Sequence, residues 1–125
     1  MRFRHISPLL LLAIPAAASA QSMTAEYFYQ RSTALKAKGA AAVFSMGEVK
    51  KLVGEAQRAG QAARAHRLAD VAAGKPPRAC PPEKSSMDSN EFMRRLGAIP
   101  AADRQRIDMT EAMTRITIAR FPCPQ

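Results

Sequence analysis

This sequence predicts an all-α fold: one small single-domain bundle of about four helices, one of them long, closed by a single disulfide. Three observations carry that class. Apolar residues recur three and four positions apart. Capping side chains stand at the head of most such stretches. Neither the alternation of a strand nor the turn dipeptides of a hairpin appears anywhere in the chain.

Residues 1–20 read as a cleavable secretion signal of bacterial type. Arg2, Arg4 and His5 form a basic start, Leu9 to Ile14 an apolar run that Pro15 breaks, and Ala18-Ser19-Ala20 a small-residue site for a signal peptidase. Cleavage is expected after Ala20, which leaves residues 21–125 as one domain, periplasmic or secreted. The apolar part from Ile6 to Ala20 is shorter than the roughly 20 residues a span needs and holds two prolines, so no membrane insertion is expected after cleavage. Gln21 offers no thiol for a lipid.

The first helix is expected from Ala25 to Ala37, with Thr24 as cap, Glu26 in its first turn and Gly39 as its end. A short apolar stretch, Ala40 to Phe44, leads to Ser45 and Glu48, whose S-x-x-E spacing is that of a capping box. The long helix then runs to Ala73 and stops at Gly74, Pro76 and Pro77. Its inward seam is read as Val49, Leu52, Val53, Ala56, Gly60 and Ala63, with small residues in the second half where another helix can approach closely. Arg67 falls next on that seam, as a charge with a solvated tip.

Four prolines and paired serines make Gly74 to Asp88 a loop around Cys80. Asp88 with Glu91 caps a third helix, Met87 and Phe92 have the spacing of a hydrophobic staple, and Phe92, Met93 and Leu96 face inward. Pro100 interrupts, and a short helical piece around Ala101 to Gln105 leads to Asp108. With Glu111 it caps the last helix, whose stripe is Met109, Ala112, Met113, Ile116 and the stem of Arg120. Phe121-Pro122-Cys123 ends it.

Cys80 and Cys123 are the only cysteines, and in an oxidising compartment they are expected to pair. A metal pair lacks further ligands, since His66 is the only histidine after the signal. No cofactor is expected. The mature chain carries 17 Lys and Arg against 10 Asp and Glu, a net charge near +7. Export and the clustering of Tyr27, Phe28 and Tyr29 away from the basic residues argue against nucleic acid. Lys50, Lys51, Arg58 and Arg64 lie mostly off the seam of the long helix, as a solvated face or as the best candidate surface for an acidic partner.

No catalytic constellation is legible. His66 has no serine or cysteine at a local spacing for a dyad, and the pairs Asp88/Glu91 and Asp108/Glu111 already have a role as caps. A hydrolase would have to assemble its groups from distant segments, in a cleft beside His66 or those pairs. The seven methionines lack the clustered spacing of a copper site and suit packing. The residues therefore point to a non-enzymatic binding protein.

From Cys80-Pro81-Pro82 through Leu96, Pro100 and Ala112 to Phe121-Pro122-Cys123-Pro124, the C-terminal half resembles the Tai family of periplasmic immunity proteins. The resemblance covers about 45 residues. It implies a small exported helical protein that binds a peptidoglycan amidase effector of type VI secretion and occludes its cleft. Only Cys80 and Cys123 carry over, as a structural bridge. The further cysteine that the family often has beside a Gly-Tyr element in its first half is missing here. An adaptor that sits on an anionic surface through the basic face is the alternative, and a second copy of the chain is a further candidate partner.

Overall fold

The computed structural model describes residues 23–125, so the expected secretion signal and its expected cleavage site lie outside the described residues. Five helices make up the fold: α1 (Ala25–Ala37), α2 (Met46–Ala72), α3 (Ser89–Ala98), α4 (Ala101–Arg104) and α5 (Met109–Arg120), with a 3₁₀ helix at Gly39–Ser45. No strand occurs among the described residues, only an isolated bridge between Thr24 and Asp108. One of the five, α4, is a single turn.

Three caps form as their spacing predicts. The Thr24 hydroxyl accepts the Tyr27 N–H at 3.2 Å, an Asp88 oxygen accepts the Glu91 N–H at 2.9 Å, and an Asp108 oxygen accepts the Glu111 N–H at 2.8 Å. Each satisfies a backbone donor that the first helical turn leaves open. Past the end of α1, Gly39 takes φ 55°, a left-handed turn that favours glycine.

One cap does not form. The Ser45 side chain caps nothing; its hydroxyl accepts from Lys38 Nζ at 3.2 Å, and Glu48 pairs with Arg31. The physical reason is the 3₁₀ helix, which runs straight into α2, so that the residues before Met46 already turn and α2 has no extended cap residue.

The α2 seam is also shifted from its expected line. Leu52, Ala59 and Ala63 are buried and Val49 and Ala56 half-buried, whereas Val53 is 50% exposed. The seam therefore follows Leu52, Ala56, Ala59 and Ala63, which recur at three and four positions, and Val53 stands to one side of it. Along the small-residue half of this seam α5 makes the most extensive helix packing in the molecule. A methyl group added at Gly60 would stand 3.8 Å from the Met113 terminal carbon.

The core joins Phe28 and Leu35 of α1, Leu52 and Ala59 of α2, Leu96 of α3 and Met109, Ala112 and Ile116 of α5. Phe28 meets Phe92 edge to face at 5.7 Å, and Met87 and Met93 pack against the cluster from the rim. The start of α1 is tied to the turn before α5: the Ala25 N–H donates to the Ile107 carbonyl and the Met109 N–H to that of Met23.

Cys80 and Cys123 form the disulfide, across 43 positions. The loop before α3 is held to the end of α5 by more than that bond. The Cys80 N–H donates to the Phe121 carbonyl at 2.8 Å, Arg120 donates to the Ser86 carbonyl, and Ala79 is buried.

Candidate functional site

Two concave surfaces border α2, one along its second half and one along its first. The first is a polar cleft of about 480 Å³, built by the second half of α2, the Cys80 loop and α5. His66, Arg67, Asp70, Arg78, Asp108 and Glu111 all line it, so the fold does bring the histidine beside one of the acidic pairs. Asp88 and Glu91 are elsewhere, at the head of α3.

Two of the charges in this cleft, Arg78 and Glu111, are committed to each other. Arg78 donates two hydrogen bonds, both 2.9 Å, to the two oxygens of Glu111, and Arg115 donates a third to the same carboxylate at 3.2 Å. These bonds, that of Arg78 first, hold the Glu111 pKa below the usual glutamate range despite its partial burial. A proton donor at neutral pH needs the opposite shift. Asp108 is occupied as the α5 cap, and Thr114 and Thr117 turn their hydroxyls back to the carbonyls of Thr110 and Met113. Arg67 is half-buried in the cleft wall, as the continued seam implies.

The second surface is an apolar groove of about 600 Å³ framed by α1, α2 and α3. Its walls include Leu35, Val49, Val53, Met87, Phe92 and Met93; no carboxylate lines it, and its one charged lining residue is Lys36, whose ammonium donates to Asn90 at 3.2 Å. Outside the groove Met46 is exposed, and the 3₁₀ helix before it presents Val43 and Phe44, the latter 91% exposed.

The sequence-predicted basic residues divide between two sides of α2. At about 100° per residue, Lys50 and Arg64 fall on the side of Val53 and Gln57, next to the groove, while Lys51 and Arg58 fall on the side of Glu48 and Glu55. Arg58 is engaged there, 2.6 Å from Glu55, and the charge of Lys51 lowers the Glu48 pKa as a minor cause after Arg31. Lys50 and Arg64 have no hydrogen bond or ion pair among the described residues.

This division is part of a wider one. Six of the ten acidic residues, Glu26, Glu48, Glu55, Glu91, Asp103 and Glu111, form ion pairs, always with arginine. No lysine of the described residues enters one. Arginine's planar fork suits fixed pairs, and the flexible ammonium of lysine stays solvated.

Among the described residues Arg104 is the one buried charge, and no local sequence pattern assigns it a role. It donates to Glu26 at 2.6 Å and to the carbonyls of Gly97 and Ile99, and it stacks 4.2 Å over the Tyr29 ring. Gly97 makes room for that stack, since a methyl group there would stand 2.9 Å from the Tyr29 hydroxyl oxygen. Its partners are up to 78 positions away, and no local spacing signals them.

Among the described residues no three His, Cys, Asp or Glu side chains are placed to hold a metal ion, and no helix is long and apolar enough to cross a membrane. No family model, curated protein or solved structure matches the chain.

Proposed function

We propose that this protein is an exported, non-enzymatic binding protein of the periplasm, which takes an acidic protein partner and acts by occlusion. Its immunity-like partner is a secreted peptidoglycan amidase effector. The partition of charge carries this reading: arginines hold six of the ten carboxylates in ion pairs, and the lysines, with Arg64, supply positive charge that no ion pair compensates. A field of this kind steers an acidic partner to the molecule. The commitment of Glu111 and Asp108 to Arg78 and the α5 cap supports binding over proton transfer. The resemblance of the segment from Cys80 to Pro124 to the Tai family supplies the effector class.

Pull-down of purified amidase effectors from the source bacterium and its neighbours, with a cell-wall lysis assay, tests it. A stable complex and protection from lysis are expected with one of them. Neither binding nor protection across the panel refutes the effector assignment.

The unpaired lysines also favour a second reading, an adaptor on an anionic surface. Co-sedimentation with vesicles rich in acidic lipid separates the two. Adaptor binding is expected at low salt and falls away near 0.5 M, where the screening length is only about 4 Å.

A further inference from the structure

The geometry points to the groove between α1, α2 and α3 as the docking site of an acidic amphipathic helix contributed by a partner protein. This rests on the protein-binding part of the reading above and not on the partner being an amidase.

Shape comes first. Three helices frame an open apolar trough beside the exposed Val53, half of whose surface faces solvent. An amphipathic helix laid in such a trough buries residues spaced three and four apart. Methionine supplies much of the lining, through Met87, Met93 and Met113. Its unbranched thioether side chain adapts to different apolar partners, as suits a surface that must be filled from outside.

Charge selects among occupants. The groove has no carboxylate in its walls, Lys36 stands at its mouth, and Lys50 lies one helical turn from Val53. Arg64 lies two turns beyond Gln57, along the same side of α2. A segment with Leu or Phe on one face and Glu or Asp on its flanks would meet apolar walls and unpaired cations together. A second copy of this chain, at about +7, is repelled by the same field.

The probe is a synthetic helix of about 18 residues, roughly 27 Å long, with Leu and Phe at positions i, i+3, i+4 and i+7 and Glu elsewhere. A counterpart carries Lys in place of Glu. With ¹³C-methyl methionine in the protein, the acidic helix is expected to move the Met87, Met93 and Met113 methyl signals and leave that of Met23 in place. The basic helix moves none. Val53→Glu is expected to weaken binding at least tenfold, and Lys36→Glu with Lys50→Glu to reverse the preference between the two helices; all three positions are outward enough to keep the fold, which a thermal melt verifies.

Unmoved methionine signals, equal binding of the basic helix, or unchanged affinity in the charge-reversed variant would each overturn the proposal. The fate of the amidase reading is read separately: an effector that binds wild type and both variants alike refutes the groove and keeps the effector, whereas peptide binding without any effector complex refutes the effector and keeps the groove.

Discussion

The two concave surfaces of this molecule are built from opposite materials. In the polar cleft Glu111 is answered by Arg78 and Arg115 and Asp108 by the α5 backbone, and the adjoining loop is fastened to the end of α5 by the disulfide. In the apolar groove Val53 is half exposed, the methionines line an open trough and neither Lys36 nor the adjacent Lys50 meets a carboxylate. The Arg78–Glu111 pair and the Asp108 cap of the first surface are internally satisfied, and the open apolar wall of the second is not. A surface that is satisfied contributes to stability, and one that is unsatisfied has free energy left for a partner. Substitutions on the cleft side should therefore cost stability, and those on the groove side binding.

The largest test of that contrast is the bridge. Closing a 43-position loop is worth about 4 kcal/mol on the chain-entropy model. Cys123→Ser, or reduction, is expected to lower Tm by roughly 15 °C. An unchanged melt under reductant would show that the Arg78–Glu111 and Phe121 contacts alone fasten the loop.

Arg104→Ala comes next, at about 3 kcal/mol, because it strands the carboxylate of Glu26, whose side chain is only 15% exposed, together with two backbone carbonyls. Arg104→Lys should recover only a fraction of this, since an ammonium lacks the planar fork that reaches Glu26 and both carbonyls while stacking on Tyr29. Urea denaturation of the two variants measures it.

A smaller effect is expected from acid. The Glu111 pKa is lowered in the folded protein, first by Arg78, so its contribution is fully present above the ordinary glutamate range near pH 4.3 and is lost as pH falls through the depressed folded value. Glu111→Gln should flatten that acid limb and cost less than about 1 kcal/mol at pH 7, the pair being partly exposed. Identical acid limbs in melts from pH 2 to 7 would mean that Glu111 does not contribute.

The smallest change in stability, within about 0.5 kcal/mol, is expected for Val53→Ala in the groove and for Phe44→Ser on the exposed 3₁₀ helix. A loss of more than about 1 kcal/mol at Val53 would place it in the core and break the contrast.

The local elements were legible because their causes are local. Thr24, Asp88 and Asp108 each reach a backbone N–H three positions on, so spacing alone located the starts of α1, α3 and α5. Ser45 had the same spacing without the same result, because the 3₁₀ helix denied it an extended backbone. Val53 looks like part of the seam because Val49 to Ala63 supplies apolar residues across more of the α2 circumference than α5 and α1 cover, and apolar character alone does not say which edge remains bare.

By itself, then, the sequence determined the all-α class, the helix ends, the bridged pair and the excess of positive charge, each a matter of composition or of contacts a few positions long. Tertiary structure alone decided which arginine meets which carboxylate and which apolar face is left open. Glu26 finds Arg104 across 78 positions and Arg78 finds Glu111 across 33. Pairings at that range depend on how helices cross, and crossing is settled by the packing of the whole core at once.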